Sequence, residues 1–162
     1  MRVPFLCASS LALASLLSAC AVQAPAPQPA PHVQYHEDHP AYLHALSDLR
    51  AARWLIAHRP GDVRVSVDED AALSGINQAI GEIKRAAIDD GKNIDDHPPI
   101  DEHLDHRGRL HRARELLQKS RNDIAREEDN GAVRGLRDRS LHHIDEALRA
   151  TDLAIRDAAN GI

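Results

Sequence analysis

The chain has few aromatic residues and few cysteines, and it has no excess of positive charge. Phenylalanine, tryptophan and tyrosine together make up 2% of its 162 residues. Because the strands of β-sandwiches and barrels depend on aromatic and β-branched residues, this scarcity argues against an all-β fold. The chain carries 20 basic and 25 acidic residues, a formal net charge of -5. It therefore lacks the basic footprint of a nucleic-acid-binding protein, and we expect no nucleic-acid partner.

Its two cysteines, Cys7 and Cys20, both lie near the amino terminus. The rest of the sequence therefore holds no thiol for a disulfide, for a metal site or for nucleophilic catalysis. The sequence also contains no Gly-rich phosphate loop, no H-E-x-x-H motif and no recognisable set of nucleophile, base and orienting residue. We do not expect an enzyme.

The first residues are typical of a secretory leader. Met1 and Arg2 form a short positive segment, and residues 3–17 are uncharged and largely apolar. A membrane-spanning helix needs about 20 apolar residues, so this run fits a signal sequence better than a membrane span. We therefore predict a signal peptide over residues 1–19.

The leader ends in Leu17-Ser18-Ala19-Cys20, which resembles the lipobox of bacterial lipoproteins. The resemblance implies cleavage before Cys20, acylation of Cys20 and anchorage to a membrane of the bacterial envelope, facing the periplasm. Because Ala21 rather than aspartate follows Cys20, the resemblance favours the outer membrane as the site of anchorage. Ordinary signal cleavage after Ala21 is the alternative.

Residues 24–31 alternate between alanine and proline with one glutamine. Such a sequence favours extended polyproline II and acts as a semi-rigid spacer. We therefore predict that residues 20–35 are the lipidated cysteine and a tether, and that residues 36–162 form the folded domain.

Four segments of the folded domain have apolar residues at the three-four spacing of amphipathic helices. They cover about residues 40–58, 66–91, 100–129 and 136–160. The residues predicted to face inward are Leu43, Leu46, Leu49, Ala52, Ile56, Leu73, Ile76, Ile80, Ile83, Ala87, Leu110, Ala113, Leu117, Ser120, Ile124, Leu136, Leu141, Ile144, Leu148, Thr151 and Ile155. Pro40 suits a first helical turn, Ser66 and Glu69 fit a capping box, and Gly91 and Gly161 suit helix ends. The pattern predicts an all-α protein, an antiparallel four-helix bundle.

An internal repeat indicates a duplicated helical hairpin. A shift of 67 residues places His36-Glu37-Asp38-His39 on His103-Leu104-Asp105-His106, and a shift of 68 places Leu73 and Ile76 on Leu141 and Ile144. Chance matches among many alanines, leucines and histidines are the alternative.

The repeat leads to a metal-binding hypothesis. If the helices alternate up and down, the first and third helices begin at the same end of the bundle. The repeated motif would then gather imidazole and carboxylate groups that suit Zn²⁺, Cu²⁺ or Ni²⁺. The predicted ligands are His36, Asp38, His39, His103, Asp105 and His106. The alternative is that these are solvated side chains near helix starts.

Other histidines are interpreted more simply. His44 with Asp48 and His111 with Glu115 are i,i+4 pairs that predict local histidine–carboxylate contacts. The run that contains His142, His143, Asp145 and Glu146 is interpreted as a solvated polar face.

Residues 39–54 (HPAYLHALSDLRAARW) and 87–93 (AIDDGKN) resemble uncharacterised secreted helical proteins of proteobacteria. This resemblance implies a secreted helical fold and no particular activity.

Three hypotheses about function remain open. The first is an envelope-anchored structural or interaction module with an envelope protein as partner. The second is a periplasmic protein that binds Zn²⁺, Cu²⁺ or Ni²⁺ at the histidine–aspartate cluster. The third is a pH-responsive envelope protein, because the chain after the leader has 19 basic and 25 acidic residues, and its charge of -6 becomes +5 when all 11 histidines are protonated.

Overall fold

The computed structural model describes residues 40–58, 65–85, 91–126 and 135–161. These parts of the chain form four helices and contain no strand. The helices are α1 (Pro40–Ala57), α2 (Val67–Arg85), α3 (His106–Arg126) and α4 (Leu136–Asn160). None of the described helices is both long enough and apolar enough to cross a bilayer. The all-α prediction is confirmed.

The start of α2 confirms the predicted capping box. The Glu69 backbone N–H donates to Ser66 Oγ at 3.2 Å, and the Ser66 backbone N–H donates to Glu69 Oε2 at 2.7 Å. These reciprocal bonds satisfy two of the amide groups that a helix leaves unpaired at its start. Residues 86–90 lie outside the described ranges, so the predicted end of this helix at Gly91 stays a prediction.

The predicted start of α3 near Ile100 is wrong by six residues. Asp105 caps the helix, because its Oδ1 accepts the backbone N–H of Gly108 at 2.7 Å. Pro98 and Pro99 precede this cap, and a residue before proline is driven out of the helical region of backbone conformation. Residues 91–105 are irregular, and α3 begins at His106, directly after the cap.

At the other end of the sequence, α4 stops where it was predicted to stop. Gly161 has φ of 72°, and its backbone N–H bonds to the Asp157 carbonyl oxygen. This left-handed conformation is one that glycine adopts without a steric penalty, which is why glycine is common just beyond a helix end.

The interior of the bundle follows the predicted apolar stripes. Two buried hydroxyl groups on them satisfy their hydrogen-bonding capacity within their own helices: Ser120 Oγ donates to the Leu116 carbonyl oxygen at 2.9 Å, and Thr151 Oγ1 donates to that of Ala147 at 2.8 Å. The predicted inward residues that are buried are Leu46, Leu49, Ala52, Ile56, Ile76, Ile80, Ile83, Leu110, Ala113, Leu117, Ser120, Ile124, Leu136, Ile144, Leu148 and Thr151. Those that are only partly buried against this core are Leu43, Leu73, Leu141 and Ile155.

Each helix packs side by side with two others, and helices packed in this way are antiparallel. The contacting pairs are α1 with α2, α1 with α3, α2 with α4, and α3 with α4. The direction of α3 against α1 follows from two contacts near the start of α1 and the later half of α3. Lys119 Nζ lies 2.6 Å from Asp48 Oδ2, and Ser120 Oγ lies 3.4 Å from the Ala45 carbonyl oxygen.

Two further pairs fix the directions of the other helices. The end of α2 meets the start of α4 at Glu82 and Arg139, which are 2.9 Å apart. Early α3 meets late α4 at Arg114 and Asp152, which are 2.6 Å apart. The order along the chain is therefore up, down, down, up.

This order corrects the expectation of a simple alternation. The 20 residues between Arg85 and His106 connect two helices that begin at the same end of the bundle. Because α2 has 19 residues and is about 28 Å long, a linker of 20 residues is long enough to return along the whole bundle. We call this linker, residues 86–105, the crossover. The end at which α2 and α3 begin is called the first end, and the opposite end is called the second end.

The arrangement suits a duplicated hairpin. One hairpin, α1 with α2, packs on the other, α3 with α4, so that corresponding helices meet and run in opposite directions. At the middle of the α2–α4 contact, Gly75 meets His143, its counterpart at a shift of 68 residues. A Cβ built on Gly75 would lie 2.8 Å from the His143 carbonyl oxygen. Only glycine therefore allows this close approach of the two helices.

Candidate functional site

Half of the predicted metal ligands lie at the start of α3, where they serve its fold. Asp105 is the helix cap, and the His103 backbone N–H donates to Asp101 Oδ1 at 2.9 Å. His106 Nε2 lies 2.7 Å from Glu69 Oε1. These contacts fasten α3 to its own preceding turn and to α2.

The other half of that set, His36, Asp38 and His39, lies outside the described residues. The reason for grouping the six residues was that the first and third helices would start at the same end. This premise is wrong, because α1 starts at the second end and α3 starts at the first end. The starts of α1 and α3 therefore give no support to a metal site formed by these six residues, and that site stays a prediction.

The predicted contacts of His44 with Asp48 and of His111 with Glu115 are replaced by stronger ion pairs. Asp48 bonds to Lys119 at 2.6 Å, and Glu115 Oε2 accepts a hydrogen bond from Arg112 Nη1 at 2.7 Å. Both histidines are exposed. Lysine and arginine are charged at neutral pH, whereas histidine is mostly neutral, so they are better partners for these carboxylates.

Carboxyl groups gather at the first end. Glu69 is only 1% exposed and is held between the Ser66 amide and His106. Next to it, the pKa of Asp68 is raised, first by burial and then by a hydrogen bond and charge repulsion with Asp157. Both contributions from Asp157 favour the protonated form of Asp68.

The crossover is fastened to α1 by polar and aromatic contacts. Arg53 Nη1 of α1 bonds to Asp95 Oδ1 of the crossover at 2.7 Å. The same side chain also reaches α2, where Arg53 Nε donates to Asn77 Oδ1 at 3.0 Å. The ring of Trp54 stacks on that of His58, with 4.3 Å between the ring centroids. Its centroid lies 5.0 Å from that of His97 in the crossover. Beside these contacts, a cavity of about 450 Å³ separates the crossover from α1 and α3. Its lining includes Leu55, Pro99, Ile100, Leu104 and Leu116.

The structure also groups three potential ligands on the outer face of α4. His142 Nε2 lies 3.3 Å from Glu146 Oε1, and His143 Nδ1 lies 3.3 Å from Glu146 Oε2. One ligand atom from each side chain lies within 4.8 Å of the others. We call these three residues the α4 cluster. It is the one group of three or more histidine, cysteine and acidic residues that the described ranges bring within metal-binding distance.

The α4 cluster was interpreted from the sequence as a solvated face. That interpretation suits His142, whose side chain is 64% exposed, but not His143, whose side chain is 17% exposed. The sequence does contain a signal for this cluster, because Glu146 lies four residues after His142 and three residues after His143. On a helix, such spacings place side chains next to each other.

Comparisons of this chain with protein-family models, with curated proteins and with solved structures give no match. Its function must therefore be argued from its own residues.

Proposed function

We propose that this chain is a lipoprotein of the bacterial envelope, in which an acylated Cys20 and a proline-rich tether hold a four-helix structural or interaction module. The observation that carries the proposal is the order of the segments. An apolar leader ends in Leu17-Ser18-Ala19-Cys20, alanine and proline alternate over residues 24–31, and the first helix begins at Pro40. Each segment supplies one part of a tethered protein: export, attachment, spacing and a folded module.

The bundle suits a module that keeps its shape while it is attached to a surface. Ion pairs bridge α1 to α3 and α2 to α4 at Asp48–Lys119 and Glu82–Arg139. Helices α3 and α4 are joined at two levels, by Arg114–Asp152 and Arg121–Asp145. Because these bridges surround one apolar core, a load applied to one helix is shared by its neighbours.

Anchorage depends on one sulfur atom, and the leader offers a matched control. Cys20→Ser should abolish incorporation of a labelled fatty acid and leave the protein as uncleaved precursor or release it to the soluble periplasm. Cys7→Ser also removes a cysteine but should keep both labelling and membrane fractionation. Two acyl chains are needed for stable membrane attachment, since each buried CH₂ contributes only about 0.8 kcal/mol.

The measurement is in-gel detection of the fatty-acid label together with membrane fractionation of the two variants. A Cys20→Ser protein that still carries the label, or a wild-type protein without any, would contradict the proposal. Equal loss of label in the two variants would also contradict it.

A further inference from the structure

We propose that His142, His143 and Glu146 form a binding site for a divalent transition-metal ion on the outer face of α4. Two imidazole nitrogens and one carboxylate oxygen are the ligand types that Zn²⁺, Cu²⁺ and Ni²⁺ prefer, whereas Mg²⁺ and Ca²⁺ prefer oxygen ligands alone. This site is independent of the lipid anchor and differs from the set of residues near the helix starts that the sequence suggested.

The spacing of the ligand atoms fits such an ion. Nitrogen and oxygen ligands lie about 2.0–2.2 Å from zinc, so two ligands of a tetrahedral site are about 3.3 Å apart. Each histidine nitrogen of the α4 cluster lies 3.3 Å from an oxygen of Glu146. The three ligand atoms fall within 4.8 Å of one another, so rotations of the side chains can close the remaining gap.

The backbone beneath the α4 cluster is held in place. The His143 carbonyl oxygen faces Gly75 of α2, and a Cβ built on Gly75 would lie only 2.8 Å from it. The side chain of His143 is correspondingly restrained at 17% exposure, while those of His142 and Glu146 remain accessible at 64% and 42%. An ion can therefore reach the site from solvent and find one ligand already positioned.

The neighbouring charges leave Glu146 available. Asp145, the preceding acid, is engaged by Arg121 at 2.6 Å. Within the described part of the chain, the side-chain partners of Glu146 are the two histidines themselves. With three protein ligands, the ion would keep at least one position for water or for a group of another molecule, as open sites do.

The test is a titration of the purified full chain with Zn²⁺, Ni²⁺ and Cu²⁺ in competition with a chromophoric chelator. Wild-type protein should bind one equivalent saturably. The double variant His142→Asn/His143→Asn should raise the Kd by about tenfold or more, and Glu146→Gln should raise it less. The matched control is His44→Asn/His111→Asn, which removes two exposed histidines from other parts of the chain and should keep the wild-type Kd.

Two further measurements identify the ligands and the fold of each variant. Electron paramagnetic resonance of the Cu²⁺ complex should show two coordinated imidazole nitrogens, and they should be missing in the His142→Asn/His143→Asn variant. Circular dichroism establishes that each variant is folded, and Glu146→Gln keeps the test decisive if the double variant unfolds. The proposal is overturned if removal of the cluster leaves the Kd unchanged, if the control weakens binding equally, or if binding is non-saturable and spread over all histidines.

Discussion

The two ends of the bundle use carboxyl groups in opposite ways. At the first end, Asp68 meets another carboxyl group, that of Asp157, and the pKa of Asp68 is raised. At the second end, Glu82 lies between two arginines, Arg139 and Arg85, and its pKa is lowered, chiefly by the hydrogen bond from Arg139. Protonation of Asp68 therefore favours its contact with Asp157, whereas protonation of Glu82 weakens its contacts with the arginines.

The same contrast extends to burial. Glu69 at the first end is 1% exposed and bonds to an amide and to His106, whereas the Glu82 side chain is 12% exposed beside more exposed arginines. Removing a partner from a buried hydrogen-bond network costs more than removing one from an ion pair near solvent. Mutations at the first end should therefore lower the stability of the bundle more than matched mutations at the second end.

The largest effect should come from the core between the two ends, on which both depend. Ile80 is 3% exposed, so Ile80→Asp would bury an unpaired charge, at a cost of about 4 kcal/mol or more. Urea denaturation followed by circular dichroism should show that the variant is unfolded or severely destabilised. The control is Leu153→Asp on the exposed face of α4, where the side chain is 43% exposed. Native-like stability of Ile80→Asp would contradict the bundle.

An intermediate effect should distinguish the ends directly. Glu69→Ala removes the Ser66 N–H bond of the capping box and the contact with His106, and we expect it to lower the free energy of unfolding by about 2 kcal/mol. Glu82→Ala, the matched variant at the second end, should cost about 1 kcal/mol or less. Urea denaturation at neutral pH measures both values. The comparison of the ends fails if Glu82→Ala is the more destabilising of the two.

The smallest effect is a difference in pH dependence. Because the pKa of Asp68 is raised in the folded protein, its contribution to stability is present below the unfolded pKa and is lost as pH rises through the folded pKa. Glu82 has a lowered pKa, so its contribution is present above the unfolded pKa and is lost as pH falls through the folded pKa.

Variants with an uncharged side chain should separate these two contributions to the pH dependence of stability. Asp68→Asn should remove the loss of stability that accompanies rising pH, and Glu82→Gln should remove the loss that accompanies falling pH. Thermal melting from acidic to neutral pH measures the Tm of each variant against the wild type. Parallel Tm profiles for wild type and Asp68→Asn would show that the Asp68–Asp157 pair contributes no such slope.

Local features of the fold were predictable from the sequence. The three-four spacing located all four helices, and the Ser66–Glu69 cap and the Gly161 end were correct, because each depends on residues close together in the chain. The α3 start was misplaced because the apolar Ile100 and Leu104 continue the helical spacing, whereas Asp105 supplies the cap. Ile100 and Leu104 instead pack against the core as part of the crossover.

The direction of α3 was not predictable from periodicity. An apolar stripe determines which face of a helix is buried, but the same stripe can pack in either direction. What distinguishes the two directions is side-chain pairing between distant segments, such as Lys119 with Asp48. A 20-residue linker is long enough for either arrangement, so its length did not decide between them.

The candidate metal site was missed for a related reason. The spacing of His142, His143 and Glu146 was visible in the sequence, but spacing alone does not distinguish a solvated face from converging ligands. The distinction depends on side-chain conformations and on the close approach of α2 at Gly75, which restrains the helix beneath His143.

Because of the crossover, the chain enters and leaves the bundle at opposite ends. The first helix begins at the second end, where Glu82 meets Arg139, and α4 finishes at the first end, where Asp157 meets Asp68. These two points are separated by the length of the bundle, which is about 30 Å for helices of about 20 residues. A reporter fused after Ile162 would therefore join the module at the end farthest from the start of α1.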